Sequence, residues 1–313
     1  MKGLDIARAY WERHGRPMLE REFPEVLPRV AAGLTGAGSE CFGFDDDLSR
    51  DHDFEPGFCL FLPGEDVIDR RTAFLLERAY AKLPKEFMGL KKGLIPPAGS
   101  ARRGVLRTGE YYKEKVGAAD GVLTLGQWLD LPEQTLAEAV NGAIFYDGPG
   151  EVTAIRRRLA RYPEDVRRKK LAGRMLLMAQ SGLYNYPRCL SHGETGAAQL
   201  AAIEFADHAT AAVFLLNETY RPFYKWRFRA MRALPQLSLL AELMEYLLTT
   251  DNGPDMAREK RDVMEGVCRD VIDEAVRQGL SAADGDTLEA HARSVNDGIR
   301  DIDLRNMDLL GAV

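Results

Sequence analysis

The spacing of hydrophobic residues changes along the chain, from short apolar runs in its first half to helical periodicity in its second. Before residue 151, apolar runs of strand length alternate with amphipathic segments of helical spacing. The predicted strands are 29–35, 57–62, 105–106 and 142–146, and the clearest predicted helices are 4–13, 65–83, 110–116 and 132–140. The strand at 57–62 is expected to pair with the strand at 29–35. Two irregular segments are also predicted: a helix break at Gly15-Arg16-Pro17 and a loop over 88–103.

From residue 151 onward, apolar residues recur at the three- and four-residue spacing of helices, and no segment alternates as a strand does. Helices are predicted at 151–160, 164–181, 195–220, 222–232, 236–249, 254–278 and 285–310. We therefore expect an α+β protein. Its first domain, residues 1–155, would hold a small mixed sheet with helices, and its second, residues 156–313, would be an all-α helical bundle.

Residues 36–54 carry the pattern with the clearest chemistry, GAGSECFGFDDDLSRDHDF. Gly38 permits close approach of another group, and Ser39 offers a hydroxyl and a backbone donor to a phosphate. Asp51 and Asp53 would face the same side of a strand, and two carboxylates at one point suit Mg²⁺. The alternative is a simple tight turn at Ser39, a turn cap at Asp51 and a solvated strand end at Asp53.

In this order and spacing, the four residues resemble the nucleotidyltransferase superfamily, which has the DNA polymerase beta-like fold. Gly38, Ser39, Asp51 and Asp53 match its signature. The resemblance implies that the serine turn holds a nucleoside triphosphate and that the two acids hold Mg²⁺. The longer sequence from residue 36 to residue 62 resembles an uncharacterised bacterial domain of unknown function. Residues 144–150, IFYDGPG, resemble the turn by which aminoglycoside nucleotidyltransferases pass from their core into a helical domain.

Members of the superfamily commonly present a third acidic residue on a following strand. The expected strand near 104–106 has no carboxylate, and Arg102 and Arg103 stand beside it. Glu110 and Asp147 are the nearest substitutes, although Glu110 also reads as a first-turn helix acid and Asp147 as a turn former. Without a third acid, the site would work with one metal ion or would be degenerate.

Several other charged residues are candidates for the same site. Asp45-Asp46-Asp47 would either orient a substrate amine or form a solvated loop, and the loop is the more common outcome for a charge run. Arg50 could pair with one of the acids or contact a phosphate.

In the helical half, Lys225 is the candidate for the lysine that similar nucleotidyltransferases place on the triphosphate. Tyr220 could stack on a nucleotide base, or it could belong to an aromatic core seam. Glu204 and His208 are four residues apart and share a helical face, so one of them could be the general base for an acceptor hydroxyl.

Composition narrows the classes of protein to which this chain could belong. The 313 residues have a net charge of −6, which argues against general nucleic-acid binding. Neither a signal-peptide core nor an uninterrupted apolar run of membrane-spanning length is evident, so a cytoplasmic protein is expected. The cysteines are at 41, 59, 189 and 268, and their spacing indicates reduced thiols rather than a zinc site.

These patterns predict an enzyme that transfers a nucleoside monophosphate from Mg²⁺-ATP, or another NTP, to a hydroxyl acceptor and releases pyrophosphate. The acceptor would be a small molecule or a protein. The alternative is a protein with a degenerate nucleotidyltransferase site, which senses a nucleotide or binds a partner without turnover.

Overall fold

The computed structural model describes residues 1–47, 55–91 and 103–313 and shows a mixed helical and sheet protein, in agreement with the α+β prediction. The chain forms two compact units. The first unit contains residues 1–123 and 131–160, and the second contains residues 124–130 and 161–313. A short segment in the first half of the chain therefore packs with the helices of the second.

The first unit is built on a four-stranded sheet flanked by helices. Its strands are β1 (Ala31–Leu34), β2 (Cys59–Leu62), β5 (Gly104–Arg107) and β6 (Ala143–Asp147), and a separate hairpin pairs β3 (Glu86–Phe87) with β4 (Leu90–Lys91). The helices up to residue 160 are α1 (Gly3–Tyr10), α2 (Arg16–Glu22), α3 (Arg70–Ala81), α4 (Thr108–Val116), α5 (Leu125–Asp130), α6 (Glu133–Val140) and α7 (Glu151–Leu159), of which α5 belongs to the second unit.

The strand order in the sheet is β5-β2-β1-β6. Strand β1 runs antiparallel to both β2 and β6, and β2 runs parallel to β5. The predicted pairing of the first two strands is confirmed, with Gly33 opposite Cys59. One end of the sheet therefore holds the C-terminus of β1 and the N-termini of β2, β5 and β6. We call it the turn end, because the segment with Gly38 and Ser39 leaves β1 there.

Strand β2 is buried on both faces. Leu60 and Leu62 pack into one apolar cluster with Tyr10 and other side chains of the N-terminal helices, whereas Cys59 and Phe61 belong to a second cluster. Alternate residues of a strand face opposite sides of a sheet, so a strand covered on both faces is a continuous apolar run. Residues 58–62 have this pattern, which made β2 easy to predict.

The predicted helix break at Gly15-Arg16-Pro17 is wrong. The chain remains helical from Gly3 to Glu22, and the wider π-helical turn Trp11–Gly15 ends two residues before Pro17. Proline lacks a backbone N–H and clashes with the carbonyl one turn earlier, and a wider turn accommodates it. Gly15 also packs closely, since a Cβ there would lie 2.4 Å from the Phe58 ring.

The predicted loop over 88–103 begins later than expected, because Leu90–Lys91 pairs with Glu86–Phe87. Met88 and Gly89 form the turn of this hairpin, and both have positive φ angles, 51° and 79°. Short hairpin turns favour such angles, which match the twist of the flanking strands. Residues 92–102 lie outside the described residues.

The second unit is helical throughout its described residues. Beyond α5, its helices are α8 (Glu164–Met178), α9 (Tyr186–Ser191), α10 (Thr195–Leu216), α11 (Tyr224–Met231), α12 (Leu240–Thr249), α13 (Pro254–Arg277), α14 (Leu288–Asp297) and α15 (Ile302–Asn306), and a π-helical turn joins α8 to α9. The predicted continuous helix over 285–310 is wrong. It is divided between α14 and α15, where Asp165 accepts hydrogen bonds from the N–H groups of Arg300 and Asp301.

Helix α10 is the one helix among the described residues that is long and apolar enough to cross a membrane. In the structure, 67% of its most apolar part is buried. Core helices of globular proteins have the same properties. The prediction that the chain has no membrane span stays a prediction.

Candidate functional site

The turn after β1 is held by one amide side chain. Asn141 Oδ1 accepts a hydrogen bond from Gly36 N at 2.9 Å, and Asn141 Nδ2 donates to Gly36 O at 2.7 Å. The Thr35 hydroxyl lies 3.1 Å from Asn141 Oδ1 and donates to Glu138 O at 2.9 Å. The turn is tight because Gly36 has φ +120°, a conformation that favours glycine. Both polar groups of Gly36 are thus satisfied by one side chain that lies 105 residues away in the sequence.

The residues around Asn141 pack directly against the same segment. Gly142 N donates to Cys41 O at 2.8 Å. Gly142 has φ +68°, and a Cβ there would lie 2.0 Å from Leu34 O, so only glycine fits between these backbones. The connection from α6 to β6 therefore fixes the course of the chain from Leu34 to Cys41.

Gly38 and Ser39 lie between this anchor and a buried ion pair. Gly38 has an extended backbone, φ −67° and ψ 144°, and directly precedes the 3₁₀ turn Ser39–Phe42. Glu40, which is 5% exposed, pairs with Arg103 at 3.0 Å. A Cβ at Gly38 would lie 2.4 Å from Glu40 Oε2, so the small residue leaves room for this carboxylate. Glycine permits close approach here, as expected, but the approaching group identified by the structure is Glu40.

Asp51, Asp53 and Arg50 lie outside the described residues, and their roles stay predictions. Strand β2, which follows them in the sequence, begins at Cys59. Among residues 1–47, 55–91 and 103–313, no group of three or more His, Cys, Asp or Glu side chains is arranged to hold a metal ion.

The two substitutes considered for a third acid do not lie at the turn end. Asp147 ends β6 opposite Ala31, the first residue of β1. Its carboxylate accepts hydrogen bonds from Gly150 N at 2.9 Å and from Thr153 N and Oγ1 at 2.7 Å each, which caps α7. Glu110 is exposed on α4, which follows the C-terminus of β5 at that same far end. Their readings as a turn former and a first-turn helix acid fit these positions.

Asp45 is not part of a solvated loop, which corrects the more common expectation for a charge run. Its side chain is buried, Oδ2 accepts a hydrogen bond from Gly3 N at 2.8 Å, and Lys2 Nζ lies 3.5 Å from Oδ1. Gly3 begins α1, so the carboxylate lies at the positive end of a helix dipole. Asp46 and Asp47 are exposed.

Tyr220 lies in the core of the second unit. It is 6% exposed, and its ring packs edge-on against Tyr162 at a centroid distance of 4.9 Å, while Tyr162 packs in the same way against Trp128. Burial raises the pKa of the Tyr220 hydroxyl well above its ordinary value. This environment is the aromatic seam of the alternative interpretation, and it leaves no exposed ring face on which a base could stack.

Lys225 and Glu204 are both on the surface of the second unit. Lys225 is exposed near the N-terminus of α11, with Nζ 5.4 Å from the centroid of the Trp226 ring. Glu204 is exposed on α10. Each is accessible to a ligand, and their predicted roles stay predictions.

Sequence reasoning missed a cluster of arginines around Asp207. Arg221 donates to Asp207 Oδ1 at 2.9 Å and to its backbone oxygen at 3.0 Å, Arg227 donates to Oδ1 at 2.5 Å, and Arg174 Nη1 lies 3.9 Å from Oδ2. Burial favours a raised pKa for Asp207, but Arg221 and Arg227 outweigh it and lower the pKa below its usual value. Asp207 is therefore ionised at neutral pH.

His208 is part of the same cluster. Burial and the charge of Arg174 lower its pKa to about 4, so the imidazole is neutral at pH 7. Arg174 Nη1 lies 3.0 Å from His208 Nδ1, and a guanidinium can only donate, so Nδ1 is the acceptor and the proton is on Nε2. A histidine with so low a pKa is a poor general base at neutral pH.

The arginine cluster around Asp207 could not be recognised from the sequence for a physical reason. Arg174, Asp207, Arg221 and Arg227 come from three helices, α8, α10 and α11, and from the segment between α10 and α11, and only the tertiary fold brings them together. One signal was present: Asp207-His208 interrupts a helix that is otherwise rich in alanine and other apolar residues. A charged residue in such a helix requires a partner. Asn141 gave no comparable signal.

Comparisons with known proteins add a family match without a known function. Residues 128–227 match a family described as a domain of unknown function (DUF4037). No curated protein and no solved structure matches the chain. The matched region contains the arginine cluster, Tyr220 and Lys225, and it does not contain the segment from Gly38 to Asp53.

Proposed function

We propose that the protein is a metal-dependent nucleotidyltransferase that moves a nucleoside monophosphate from Mg²⁺-ATP, or another NTP, to a hydroxyl acceptor. The acceptor oxygen forms a bond to the α-phosphorus while the bond to the β-phosphate oxygen breaks. Pyrophosphate leaves, and a base takes the hydroxyl proton. In this proposal residues 1–155 form the nucleotidyltransferase-fold domain and residues 156–313 a helical-bundle domain.

The observation that supports the proposal best is the construction of the turn end of the sheet. The segment with Gly38 and Ser39 leaves β1 there, and β2, the strand that follows Asp51 and Asp53 in the sequence, begins beside it with Cys59 opposite Gly33. A site that binds a phosphate needs rigid backbone donors. The anchoring of Gly36 by Asn141 supplies such rigidity.

The proposed roles follow from the chemistry of each group. Asp51 and Asp53 would hold Mg²⁺, which would neutralise charge on the triphosphate, and Gly38 and Ser39 would contact the triphosphate. Lys225 is the proposed second contact to the triphosphate. Glu204 is the remaining candidate for the base, since the pKa of His208 is lowered to about 4 and its Nδ1 already accepts a hydrogen bond from Arg174.

The first test is calorimetric titration of the full chain with Mg²⁺-ATP. Changing Asp51→Asn together with Asp53→Asn should abolish Mg²⁺-dependent binding. A matched double variant, Asp284→Asn with Asp286→Asn, removes the same charge at two exposed positions of the second unit and should bind as wild type does. Unchanged binding by the first double variant would falsify the site assignment.

A second candidate function is a nucleotide sensor or partner-binding protein without turnover. It is favoured by one observation, the position of Asp147 and Glu110 at the far end of the sheet from Ser39. Incubation with α-labelled ATP and cell extract separates the two functions. Transfer of label to any acceptor, lost in Asp51→Asn, identifies an enzyme, whereas binding of Mg²⁺-ATP without transfer supports the sensor.

A further inference from the structure

The outer side of helix α3 in the first unit carries cations and apolar side chains on one continuous stripe. Its five exposed members lie at the helical spacing i, i+3, i+4, i+7 and i+11, which places them on one side of the helix: Arg71, Phe74, Leu75, Arg78 and Lys82. We call these residues the α3 stripe. Phe74 and Leu75 are 55% and 45% exposed, whereas Leu76 and Tyr80 on the opposite side are buried in the core.

The positive charge of the α3 stripe is not neutralised by the chain itself. Across residues 1–47, 55–91 and 103–313, none of Arg71, Arg78 and Lys82 forms an ion pair with a carboxylate. The neighbouring Arg70 differs, because it pairs with Glu65 at 2.8 Å. The Arg78 guanidinium carbon lies 5.9 Å from the centroid of the Phe74 ring, so cation and aromatic ring form one surface.

Helix stability does not account for Arg71. The N-terminus of a helix carries partial positive charge and favours acidic residues, yet the first turn of α3 has none. Asp69 experiences the charge of Arg71, but its carboxylate is engaged as the helix cap and accepts a hydrogen bond from Thr72 N at 2.7 Å. An arginine that opposes the helix dipole without an ion pair is expected where it serves a contact outside the chain.

We propose that the α3 stripe docks the protein on the surface of an anionic phospholipid membrane. Arginine and lysine reach lipid phosphates with their charged ends, while their hydrocarbon stems and neighbouring aromatic and aliphatic side chains enter the interfacial layer. The whole chain has a net charge of −6, so this local positive surface would direct the contact. Peripheral docking requires no membrane-spanning helix and neither Asp51 nor Asp53, so it goes beyond the proposed transfer reaction.

The shape and the residue types favour a lipid surface over a second macromolecule. The α3 stripe is the outer surface of one helix, and a stable protein partner would have to cover about 800 Å² of it and its surroundings with a matching shape. A lipid surface adapts to protruding side chains and needs no matching pocket. Nucleic acid would use the cations and could stack a base on Phe74, but it offers no apolar layer for Leu75.

The probe is vesicles made of equal parts phosphatidylcholine and phosphatidylserine, with vesicles of pure phosphatidylcholine as the comparison. The full chain is sedimented with each kind of vesicle in the absence of nucleotide and Mg²⁺. Wild type should sediment with the mixed vesicles and stay in solution with pure phosphatidylcholine. Sodium chloride should release it, because exposed charges are screened by salt.

Charge reversal tests the cations. Arg71→Glu with Arg78→Glu should lower the partition onto mixed vesicles by about twentyfold or more, since each cation near such a surface contributes roughly fivefold. Lys113→Glu with Arg157→Glu makes the same change in net charge at two other exposed positions of the first unit and should bind as wild type does.

Arg71→Glu alone separates binding from stability. Its partition should fall by about fivefold or more. Its thermal midpoint should stay equal or rise, because an acid in the first turn complements the helix dipole. A lower midpoint with unchanged partition would show that Arg71 has only a structural role.

Phe74→Ser tests the apolar contact without changing any charge. It should lower the partition by about fivefold, because the ring no longer enters the interfacial layer. If the double arginine variant does not fold, Phe74→Ser and the dependence of wild-type binding on phosphatidylserine and salt still decide.

Three results would overturn the proposal: no sedimentation of wild type with mixed vesicles, equal sedimentation with both kinds of vesicle, or undiminished binding by the folded double arginine variant. A labelled oligothymidylate, followed by fluorescence anisotropy, tests the other polyanion. Binding of the oligonucleotide without binding of mixed vesicles would assign the α3 stripe to nucleic acid instead. Because nucleotide and metal are absent, failure of the proposed transfer reaction would leave these results unchanged.

Discussion

At the scale of single residues, Asn141 has the most consequences for the first unit. Replacing it by alanine removes the partner of both Gly36 N and Gly36 O, whereas Thr35 Oγ1 keeps its hydrogen bond to Glu138 O. Loss of a buried partner usually costs about 1–3 kcal/mol, and we expect Asn141→Ala to lower the free energy of unfolding by that amount in urea denaturation. Gln134→Ala, exposed on the adjacent helix, should change it by less than about 0.5 kcal/mol.

The residue scale is also where sequence reasoning was least complete. Asp45 looked like a loop acid and is a buried partner of the first helix, while Tyr220 looked available for stacking and is covered by Tyr162. Charge and residue type indicate what a side chain can do. Its partners lie 42 or more residues away in these cases, and only tertiary packing selects them.

At the scale of secondary-structure elements, Asp147 distinguishes a helix cap from a metal ligand. We predict that Asp147→Ala lowers the free energy of unfolding by about 1–2 kcal/mol, the usual cost of a lost cap, because three hydrogen bonds at the start of α7 disappear. Asp147→Asn, which keeps one oxygen acceptor, should cost less. Titration with Mg²⁺-ATP should give the same affinity for wild type and Asp147→Asn. A selective loss of metal-dependent binding in a folded Asp147→Asn protein would show instead that the carboxylate serves the site.

Strands β2 and β6 could be predicted because each is an apolar run followed by turn residues, whereas β5 has only Val105 and Leu106 as apolar residues. It was harder to predict where a helix continues and where it breaks. Pro17 signals a break in any single sequence, but a π-helical turn before it keeps the helix intact. Near Arg300 the sequence predicted a continuous helix where the structure has a break. The apolar residues keep helical spacing across this break, and Asp165 of another helix stabilises it by accepting hydrogen bonds from the backbone.

At the scale of the whole molecule, the sequence predicted the class of the fold but not what joins distant parts of each unit. Two lysines of the second unit, Lys169 and Lys260, have no solvent exposure and join distant segments by hydrogen bonds. Lys260 Nζ donates to Gln199 Oε1 at 2.7 Å and Thr250 O at 2.6 Å, and Lys169 Nζ donates to Asn296 Oδ1 at 2.9 Å. Sequence patterns assign lysines to helix surfaces, so these contacts could not be foreseen.

These lysines give the stability of the protein a predictable pH dependence. Burial lowers the pKa of Lys169 below its ordinary value, with Asp308 opposing the shift. Between that lowered pKa and the unfolded value of about 10.4, the unfolded chain holds more protons than the folded one, so this group's contribution to the free energy of unfolding rises with pH. Lys169→Met removes the titration.

Urea denaturation at intervals from pH 7 to pH 10 measures this contribution as the difference in unfolding free energy between wild type and Lys169→Met. The difference should shift in favour of wild type as pH rises, because the desolvation cost of the folded ammonium disappears once it loses its proton. Titrations of the tyrosines are common to both proteins and cancel. Lys85→Met, at an exposed position of the first unit, is the matched control for the loss of a lysine side chain. A flat difference for Lys169→Met would mean that the buried amine keeps an ordinary pKa, and that its three oxygen partners, Asn296 Oδ1, Met307 O and Arg305 O, compensate fully for its burial.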